Sequence, residues 1–327
     1  MNKLTQDVIA SYIKLMSGDF HLNDLRKGLN ISPEADGALR KIMYDLCKKG
    51  TVRSSGSKDG NYHRVEPIMP IRTWVDNEED YFEVIHPKGH GGLDDDFGFE
   101  AMMDLSPGDL ITIGGVSNAG KSALALNYLA ENVNIHPCVL MGNEYVTANN
   151  EVLPKLKRRL LRMDWVKWLD GEGKLKFEIL PVSGNYQDYI QKDKLNIIDW
   201  IDLSGEFWQI SQVHKAIKER VGDGLIIAVQ QKSKDKTYAN GNEFGVRMSD
   251  VYFTVDFYGE NESRINVLKV KEPRRKVVGK SWAFMVVDNG AKLTNIREIK
   301  LCPRCRGRSQ QPNAKCEECH QKGYVDA

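Results

Sequence analysis

Apolar residues in the middle of the chain fall into short continuous runs, and these runs are separated by stretches with helical spacing. Eight runs have the length of strands: 110–113, 137–141, 177–180, 195–199, 224–229, 251–257, 264–270 and 281–287. Alternating strands and helices predict an α/β core at about 96–298. The last three runs have little helix between them, so we expect the sheet to end in an antiparallel section.

The first 66 residues have a different pattern. Two amphipathic helices are predicted at 7–16 and 22–29, and a third from Ser32, an N-cap followed by Pro33, to about Lys49. Two short strands around a Gly-rich turn follow. Three helices and a hairpin resemble the winged-helix fold, whose third helix enters the major groove of DNA. The same fold also serves protein contacts alone, and this alternative stays open.

Basic side chains lie where a winged helix would meet duplex DNA. They are Arg40 and Lys41 on the third helix, and Arg53, Lys58 and Arg64 in or near the hairpin. The net charge of +1 is also unevenly distributed, because residues 1–65 and 300–327 are net basic and the middle is net acidic. Basic ends favour an anionic partner, although so small an excess also arises by chance.

These patterns divide the chain into four segments. They are a winged-helix-like domain at 1–66, a linker at 67–95, the α/β core at 96–298 and a cysteine-rich tail at 299–327. No run approaches about eighteen consecutive apolar residues, and the N-terminus lacks the apolar core of a signal peptide. We therefore expect a cytoplasmic protein with no membrane partner.

A glycine-rich motif follows the first core strand and precedes a predicted helix. It fits G-x-x-x-x-G-K-[ST] and consists of Gly115, Val116, Ser117, Asn118, Ala119, Gly120, Lys121 and Ser122. In this motif backbone N–H groups surround nucleotide phosphates, the lysine reaches the β/γ-phosphates and the serine hydroxyl binds Mg²⁺. The motif in this context predicts ATP and Mg²⁺ binding. The alternative is a Gly-rich turn that binds nothing.

Four of the six cysteines lie in the tail, as two C-x-x-C pairs. They are Cys302, Cys305, Cys316 and Cys319. In a reducing compartment such pairs predict a metal site, and four thiolates predict a closed, structural Zn²⁺ site. His320 could replace one cysteine. The pairs resemble half-repeats of the DnaJ cysteine-rich module, with Gly307 and Gly323 at two of its glycine positions and Ser309 and Gln321 at the others. Cys47 and Cys138 are interpreted as core residues.

The run DLSPGDLITIGGVSNAGKSALALNYL resembles RecA-like ATPases, and in particular DnaB-type hexameric replicative helicases. The resemblance spans about 97–290. It implies that Glu144 orients the attacking water and that Asp199, with Asp202 as the fallback, completes the Mg²⁺ shell. A carboxylate at the carboxyl end of a strand beside the phosphate loop would also face the γ-phosphate, although Glu144 could be a capping or surface residue.

Further elements of the resemblance lie downstream. Gln231 matches a glutamine that senses the γ-phosphate, with Gln230 in place of the usual serine. The polar loop at 232–247 would follow a DNA strand in a ring's pore, or is simply solvated. Lys271 and Arg274 match residues that reach the nucleotide of a neighbouring subunit. Arg275 is an alternative to Arg274, and a basic surface turn is the alternative for the whole segment.

The sequence therefore predicts a RecA-like phosphate-loop ATPase with an N-terminal winged helix and a C-terminal zinc module. We expect ATP, Mg²⁺ and Zn²⁺ as cofactors, a homo-oligomeric ring or filament, and single-stranded DNA as a partner, with duplex DNA at the winged helix. Helicase or translocase activity is the first interpretation. The alternatives are a recombinase or mediator that coats DNA, and a winged-helix regulator that uses ATP as an assembly switch.

Overall fold

The structure is a computed structural model, and it describes residues 4–16, 18–55, 59–65, 81–90, 95–147, 149, 151–203, 207–308 and 316–327. The chain divides into two compact units, Met1–Asp76 and Asn77–Ala327. Most of the predicted linker, at 67–80 and 91–94, lies outside the described residues, as do Lys58 and Ser309. The boundaries that the sequence places at 66, 95 and 298 stay predictions.

The first unit contains three helices and a three-stranded antiparallel sheet. Its elements are α1 (Gln6–Ile13), β1 (Asp19–His21), α2 (Leu22–Gly28), α3 (Asp36–Lys48), β2 (Val52–Ser54) and β3 (Asn61–Arg64). The sheet has the order β1-β3-β2. Apolar residues from all three helices form one core, which includes Ile9, Leu25, Leu39 and Met43. The helices and the hairpin lie where the sequence predicts them, and β1 was not predicted.

Two details of this unit differ from the sequence-based expectation. Ser32 and Pro33 begin a single 3₁₀ turn, Pro33–Ala35, and α3 starts only after it. Arg40 forms ion pairs with Asp36 at 3.2 Å and Asp59 at 2.9 Å. One of the cations expected to contact DNA is thus already paired within the unit.

The second unit is an α/β domain built on one large sheet. Its elements are β4 (Leu110–Gly115), α4 (Lys121–Asn132), β5 (Cys138–Met141), α5 (Pro154–Arg162), β6 (Phe177–Leu180), β7 (Leu195–Ile201), α6 (Ile210–Lys218), β8 (Leu225–Gln231), α7 (Glu243–Met248), β9 (Val251–Tyr258), β10 (Glu262–Val270), β11 (Ser281–Val287), β12 (Lys292–Leu301) and β13 (Tyr324–Asp326). All eight predicted strands are present, and β12 and β13 are additional.

The ten strands have the order β13-β12-β11-β10-β9-β4-β8-β7-β5-β6. Strands β9, β4, β8, β7, β5 and β6 are parallel to one another, and β9 to β13 pair antiparallel. The predicted α/β fold and its antiparallel section are therefore confirmed. Because β4 is central, the loop that follows it lies at the carboxyl edge of the parallel strands, where open α/β sheets bind ligands.

Both faces of the parallel strands are covered, which explains their continuous apolar runs. Ile111 and Ile113 of β4 belong to the larger core cluster with Leu124 of α4. Leu110, which points to the other face, belongs to a second cluster with Ile210 of α6. None of the helices that the structure describes is long and apolar enough to cross a membrane.

Candidate functional site

The phosphate loop connects β4 to α4 with tight backbone geometry. Asn118 and Gly120 have φ angles of 62° and 96°, so both lie in the left-handed region. A Cβ atom on Gly115 would lie 2.6 Å from the Val255 carbonyl oxygen, and one on Gly120 would lie 3.0 Å from Cγ2 of Val286. The two glycines of the motif are thus required by local packing as well as by phosphate approach.

Lys121 is the first residue of α4 and is buried, with 9 % of its surface exposed. Its Nζ donates a hydrogen bond to the Val116 carbonyl oxygen at 2.7 Å, so the ammonium lies over the loop. Burial lowers the pKa of this ammonium, and the nearby Asp199 carboxylate opposes that shift. A phosphate that replaced the carbonyl contact would supply the negative charge that this buried cation lacks.

Asp199 lies at the carboxyl end of β7 and meets the phosphate loop. Its Oδ1 accepts a hydrogen bond from Ser122 Oγ at 3.1 Å, and its Oδ2 accepts a short one from the Tyr145 hydroxyl. Burial raises the pKa of Asp199, while the bonds from Tyr145 and Ser122 lower it. The structure does not place the fallback residue, Asp202, in this contact: its backbone N–H instead donates to the Tyr186 hydroxyl oxygen.

Glu144 and Tyr145 follow β5 in a short 3₁₀ turn, Asn143–Tyr145. Both line a cleft of about 290 Å³ together with Lys121 and Ser122. Tyr145 is buried and Glu144 is exposed to the cleft, as the position of a water-orienting carboxylate requires. The structure therefore brings four predicted residues, Lys121, Ser122, Glu144 and Asp199, to one place.

The cleft also contains two cations that the sequence analysis missed, Lys155 and Arg159 of α5. Arg159 Nε donates to the Asn289 carbonyl oxygen at 3.0 Å, and its guanidinium lies so close to Gly290 that a Cβ there would meet it at 2.9 Å. The signal was available in PKLKRRLLR, where buried Leu156 and Leu160 direct the cations to the other face of the helix.

Gln231 ends β8 and pairs with Gly115, so its backbone lies beside the phosphate loop. Among the residues that the structure describes, its side chain is not in the lining of the 290 Å³ cleft but faces a small hollow beside Trp200. Its neighbour Gln230 is buried and bonded to Nε2 of His214 at 2.6 Å. Burial lowers the pKa of His214 to about 3, so this imidazole is neutral.

Lys271 and Arg274 lie at the opposite edge of the sheet. The Lys271 N–H donates to the Asp250 carbonyl oxygen, and Asp250 in turn donates to Leu110, the first residue of β4. Because β4 has six residues, this edge is about 17 Å from the phosphate loop. The Lys271 ammonium contacts Asp250 at 3.3 Å and Arg274 contacts Asp104 at 2.6 Å. Neither side chain can reach the nucleotide cleft of the same chain.

The four tail cysteines form a compact cluster, with all Sγ atoms within 4.8 Å of one another. The Cys302–Cys316 and Cys305–Cys319 Sγ distances are 3.8 and 3.6 Å. Four sulfurs at about 2.3 Å from a tetrahedral Zn²⁺ lie about 3.8 Å apart, whereas a disulfide requires about 2.05 Å. The donor set and its spacing thus fit zinc. His320 is exposed and is not needed to complete the set.

Comparisons with known proteins find matches among solved structures alone. No protein-family model and no curated protein matches the sequence. Among solved structures, the crystal structure of the RadB recombinase has 15% identity and a TM-score of 0.42, covering 57% of this chain and 90% of that one. A KaiC-like protein, PH0186 from Pyrococcus horikoshii OT3, has 15% identity and a TM-score of 0.46, covering 65% and 99%. The fold assignment therefore rests on the strand order and the phosphate loop.

Proposed function

We propose that this protein is a Mg²⁺-dependent ATPase with a RecA-like core, which assembles as a ring or filament and couples ATP hydrolysis to movement on single-stranded DNA. The observation that carries the proposal is the convergence of Lys121, Ser122 and Glu144 on one cleft, with Asp199 hydrogen-bonded to Ser122 beside it. These four side chains come from three different strand ends, and together they can bind the phosphates, hold the metal and orient the attacking water.

Each side chain has a distinct role in this proposal. The loop N–H groups and Lys121 bind the phosphates and stabilise the charge that develops on them. Ser122 and Asp199 would hold Mg²⁺, which would neutralise negative charge on the nucleotide phosphates. Glu144 accepts a hydrogen bond from the attacking water and orients it. Lys155 and Arg159 add positive charge at the mouth of the cleft.

Lys271 and Arg274 provide the argument for assembly. They cannot act in their own subunit, since the length of β4 separates them from its phosphate loop. In a head-to-tail ring or filament, one subunit's amino edge can face the next subunit's carboxyl edge. Arg274 would then act as a finger in trans on the neighbour's γ-phosphate, which couples hydrolysis to the subunit interface.

The DNA-binding part of the proposal rests on charge and fold pattern. The first unit, with its helices and three-stranded sheet, would act as a winged helix on duplex DNA. The segment after β8 carries three lysines between residues 232 and 236, as a loop that follows a single strand would. We further propose that the four cysteines bind one structural Zn²⁺.

The decisive experiment measures ATP turnover with and without single-stranded DNA while particle size is followed by light scattering. We expect turnover to rise with DNA and to require an oligomer. ATP-dependent strand displacement on a forked duplex then distinguishes a helicase from an ATPase that only coats DNA. Low turnover that single-stranded DNA does not change would contradict the motor and favour a winged-helix regulator that uses ATP for assembly.

A further inference from the structure

The tail packs against the sheet and forms one side of a second cleft, of about 760 Å³. The opposite side is the loop after β8, residues 232–237, and the bottom is formed by β9, β10 and β11. The tail contributes residues 320–324, which we call the second knuckle because they follow the second cysteine pair. This cleft is distinct from the nucleotide cleft.

The bottom of this cleft is a polar sheet face. Asn266 Nδ2 donates to Thr254 Oγ1 at 3.2 Å, and Ser281 Oγ donates to Asn266 Oδ1 at 2.8 Å, so a row of polar groups crosses three strands. The opposite face of the same strands carries Phe253 and Val267, which belong to the main core. A polar sheet face that borders a cleft is suited to a polar ligand, and half-buried Asn266 is the most accessible member of this row, since Thr254 and Ser281 are buried.

Positive charge is concentrated around the cleft. Its lining contains five cationic side chains and two carboxylates: Lys232, Lys234, Lys236, Arg264 and Lys322, with Asp235 and Asp256. Asp256 pairs with Lys232 at 2.5 Å and with Nη2 of Arg264 at 3.6 Å. Arg264 is 11 % exposed, and its Nε and Nη1 atoms are buried with no hydrogen-bond partner among the residues that the structure describes. A buried cation with unsatisfied donors is costly unless an anion or other acceptor meets it. The cleft therefore fits a polyanion.

Aromatic surfaces complete the set of contacts. Phe257 lines the cleft and is half exposed, at 49 %, and the ring of Tyr324 lies under the Arg264 guanidinium at 4.3 Å. Aromatic rings beside cations are the pairing with which proteins bind single strands, because bases stack on the rings while the phosphates meet the cations. Duplex DNA offers no unstacked base to such a ring.

The second knuckle is held against the sheet by side-chain and strand contacts. Lys322 Nζ contacts Glu262 at 3.3 Å and lies 4.8 Å from the centre of the Tyr258 ring. β13 pairs with β12. On the other side, the Lys232 N–H donates to the Gly115 carbonyl at 2.8 Å, so the loop begins directly at the phosphate-loop strand. One side of the cleft is thus linked to the nucleotide site.

We infer that the second knuckle and the loop after β8 together form the binding groove for single-stranded DNA. The metal module would then be one wall of the DNA site as well as a structural element. This inference rests on the proposed function, and it adds that the loop alone is insufficient. Phosphates would meet Lys234, Lys236 and Arg264, and a base would stack on Phe257.

The test compares variants in the binding of a fluorescein-labelled oligo-dT of about 15 nucleotides, followed by anisotropy. The knuckle variant is His320→Glu with Gln321→Glu. Its matched control is Arg306→Glu, which lies directly after the first cysteine pair. Arg306 follows Cys305 as His320 follows Cys319, and their φ angles are 49° and 46°. By formal charge, in which histidine is counted as uncharged, both variants change the net charge by the same amount, and both alter exposed side chains.

We expect the knuckle variant to bind the oligonucleotide about tenfold more weakly and the Arg306 control to bind within about twofold of wild type. Lys234→Gln with Lys236→Gln should lower the slope of log affinity against log salt by about 1.4, since each lost phosphate contact changes it by about 0.7. Phe257→Ala should weaken binding about fivefold or more. Zinc content should be unchanged in all of them.

The outcomes separate this inference from the proposed function. If the lysine variant loses affinity and the knuckle variant does not, the inference is wrong and the DNA-dependent ATPase stands. If the knuckle variant and the Arg306 control lose affinity for the oligonucleotide equally, only overall charge matters, and this result also overturns the inference. If wild type binds no oligo-dT, both the inference and the DNA part of the proposed function fail. If the double knuckle variant loses zinc, the isosteric single variant Gln321→Glu is used in its place in the same binding assay.

Discussion

Ser122 Oγ donates a hydrogen bond to Asp199 Oδ1 across 3.1 Å, although 77 residues separate them in the chain. One is in the first turn of α4 and the other is at the end of β7, two strands away from β4. A hydroxyl and a carboxylate at this spacing are hard oxygen ligands of the type that Mg²⁺ prefers. The contact thus converts two separate sequence motifs into one candidate metal site.

Lys121→Ala should abolish ATP hydrolysis and leave the fold intact. Its ammonium donates a hydrogen bond to the loop carbonyl of Val116, and its expected role is to stabilise the charge that develops on the phosphates in the transition state. We expect turnover to fall by at least about 10²–10³-fold with unchanged far-UV circular dichroism. Lys174→Ala, at an exposed lysine paired with Glu172, is the control and should keep full turnover. Near-normal turnover in Lys121→Ala would rule out this loop as the active one.

Asp109→Asn should stabilise the protein at neutral and alkaline pH. Burial and the neighbouring Asp250 raise the pKa of Asp109 to about 6. Because the pKa is higher in the folded state, protonation of Asp109 stabilises the fold. This contribution to the free energy of unfolding is fully present below about pH 4 and is lost as pH rises through about 6. Asparagine can still accept from the Ser106 N–H, as Asp109 does at 2.8 Å, and carries no charge.

The expected gain in the free energy of unfolding is about 1–3 kcal/mol near pH 8 and should vanish near pH 4. Urea unfolding at several pH values measures it. Glu172→Gln, at a carboxylate that is 75 % exposed, should change stability little at any pH. A pH-independent effect of Asp109→Asn would show that hydrogen bonding, and not the charge of Asp109, determines the difference.

Zinc should be present at one ion per chain and should depend on the four tail cysteines. Cys316→Ser removes one thiolate of the cluster, so we expect loss of zinc and local unfolding of the tail, since so short a segment has no core of its own. Elemental analysis of reduced protein measures the content. Cys138→Ser, at a buried thiol in β5, should retain the metal. Zinc-free wild-type protein with an ordered tail would contradict the assignment.

The sequence predicts the strands better than it predicts the lining of the nucleotide cleft. Buried parallel strands such as β4 and β8 are continuous apolar runs, so their pattern is unambiguous. β12 was missed because Asn295, at φ 54°, interrupts its alternation and a register shift follows in its pairing with β11.

Contacts between side chains from distant segments could not be predicted from the sequence. No spacing rule brings Arg159 to Asn289 or Tyr145 to Asp199, because each pair depends on how loops from different strands meet. The phosphate loop was predictable since its chemistry lies in eight consecutive residues. For Gln231, the sequence pattern predicts the position of the backbone at the end of β8. It does not predict the direction of the side chain.

Arg274 is expected to act across a subunit interface, on the nucleotide of a neighbouring chain. Arg274→Ala should bind ATP normally, because the phosphate loop lies at the other edge of the sheet, and should lose about 10³–10⁵-fold in turnover. Arg275→Ala, which removes a bond to the Ala101 carbonyl at 2.8 Å, is the matched control and should keep most of its activity. If the Arg275 variant is the inactive one, the finger is Arg275.

Mixing inactive subunits gives the sharper result. Arg274→Ala and Glu144→Ala are each inactive alone, but a mixed assembly contains some interfaces that join an intact Glu144 to an intact Arg274. Turnover should therefore recover in part on mixing, and the recovery should depend on the ratio of the two subunits. With equal, random mixing, about a quarter of the interfaces join an intact Glu144 to an intact Arg274. The recovered turnover can therefore reach at most about a quarter of wild-type activity. A verified mixed assembly that stays inactive would mean that Arg274 does not complete a neighbour's site. Its contacts with Asp104 and the Tyr81 ring would then be structural.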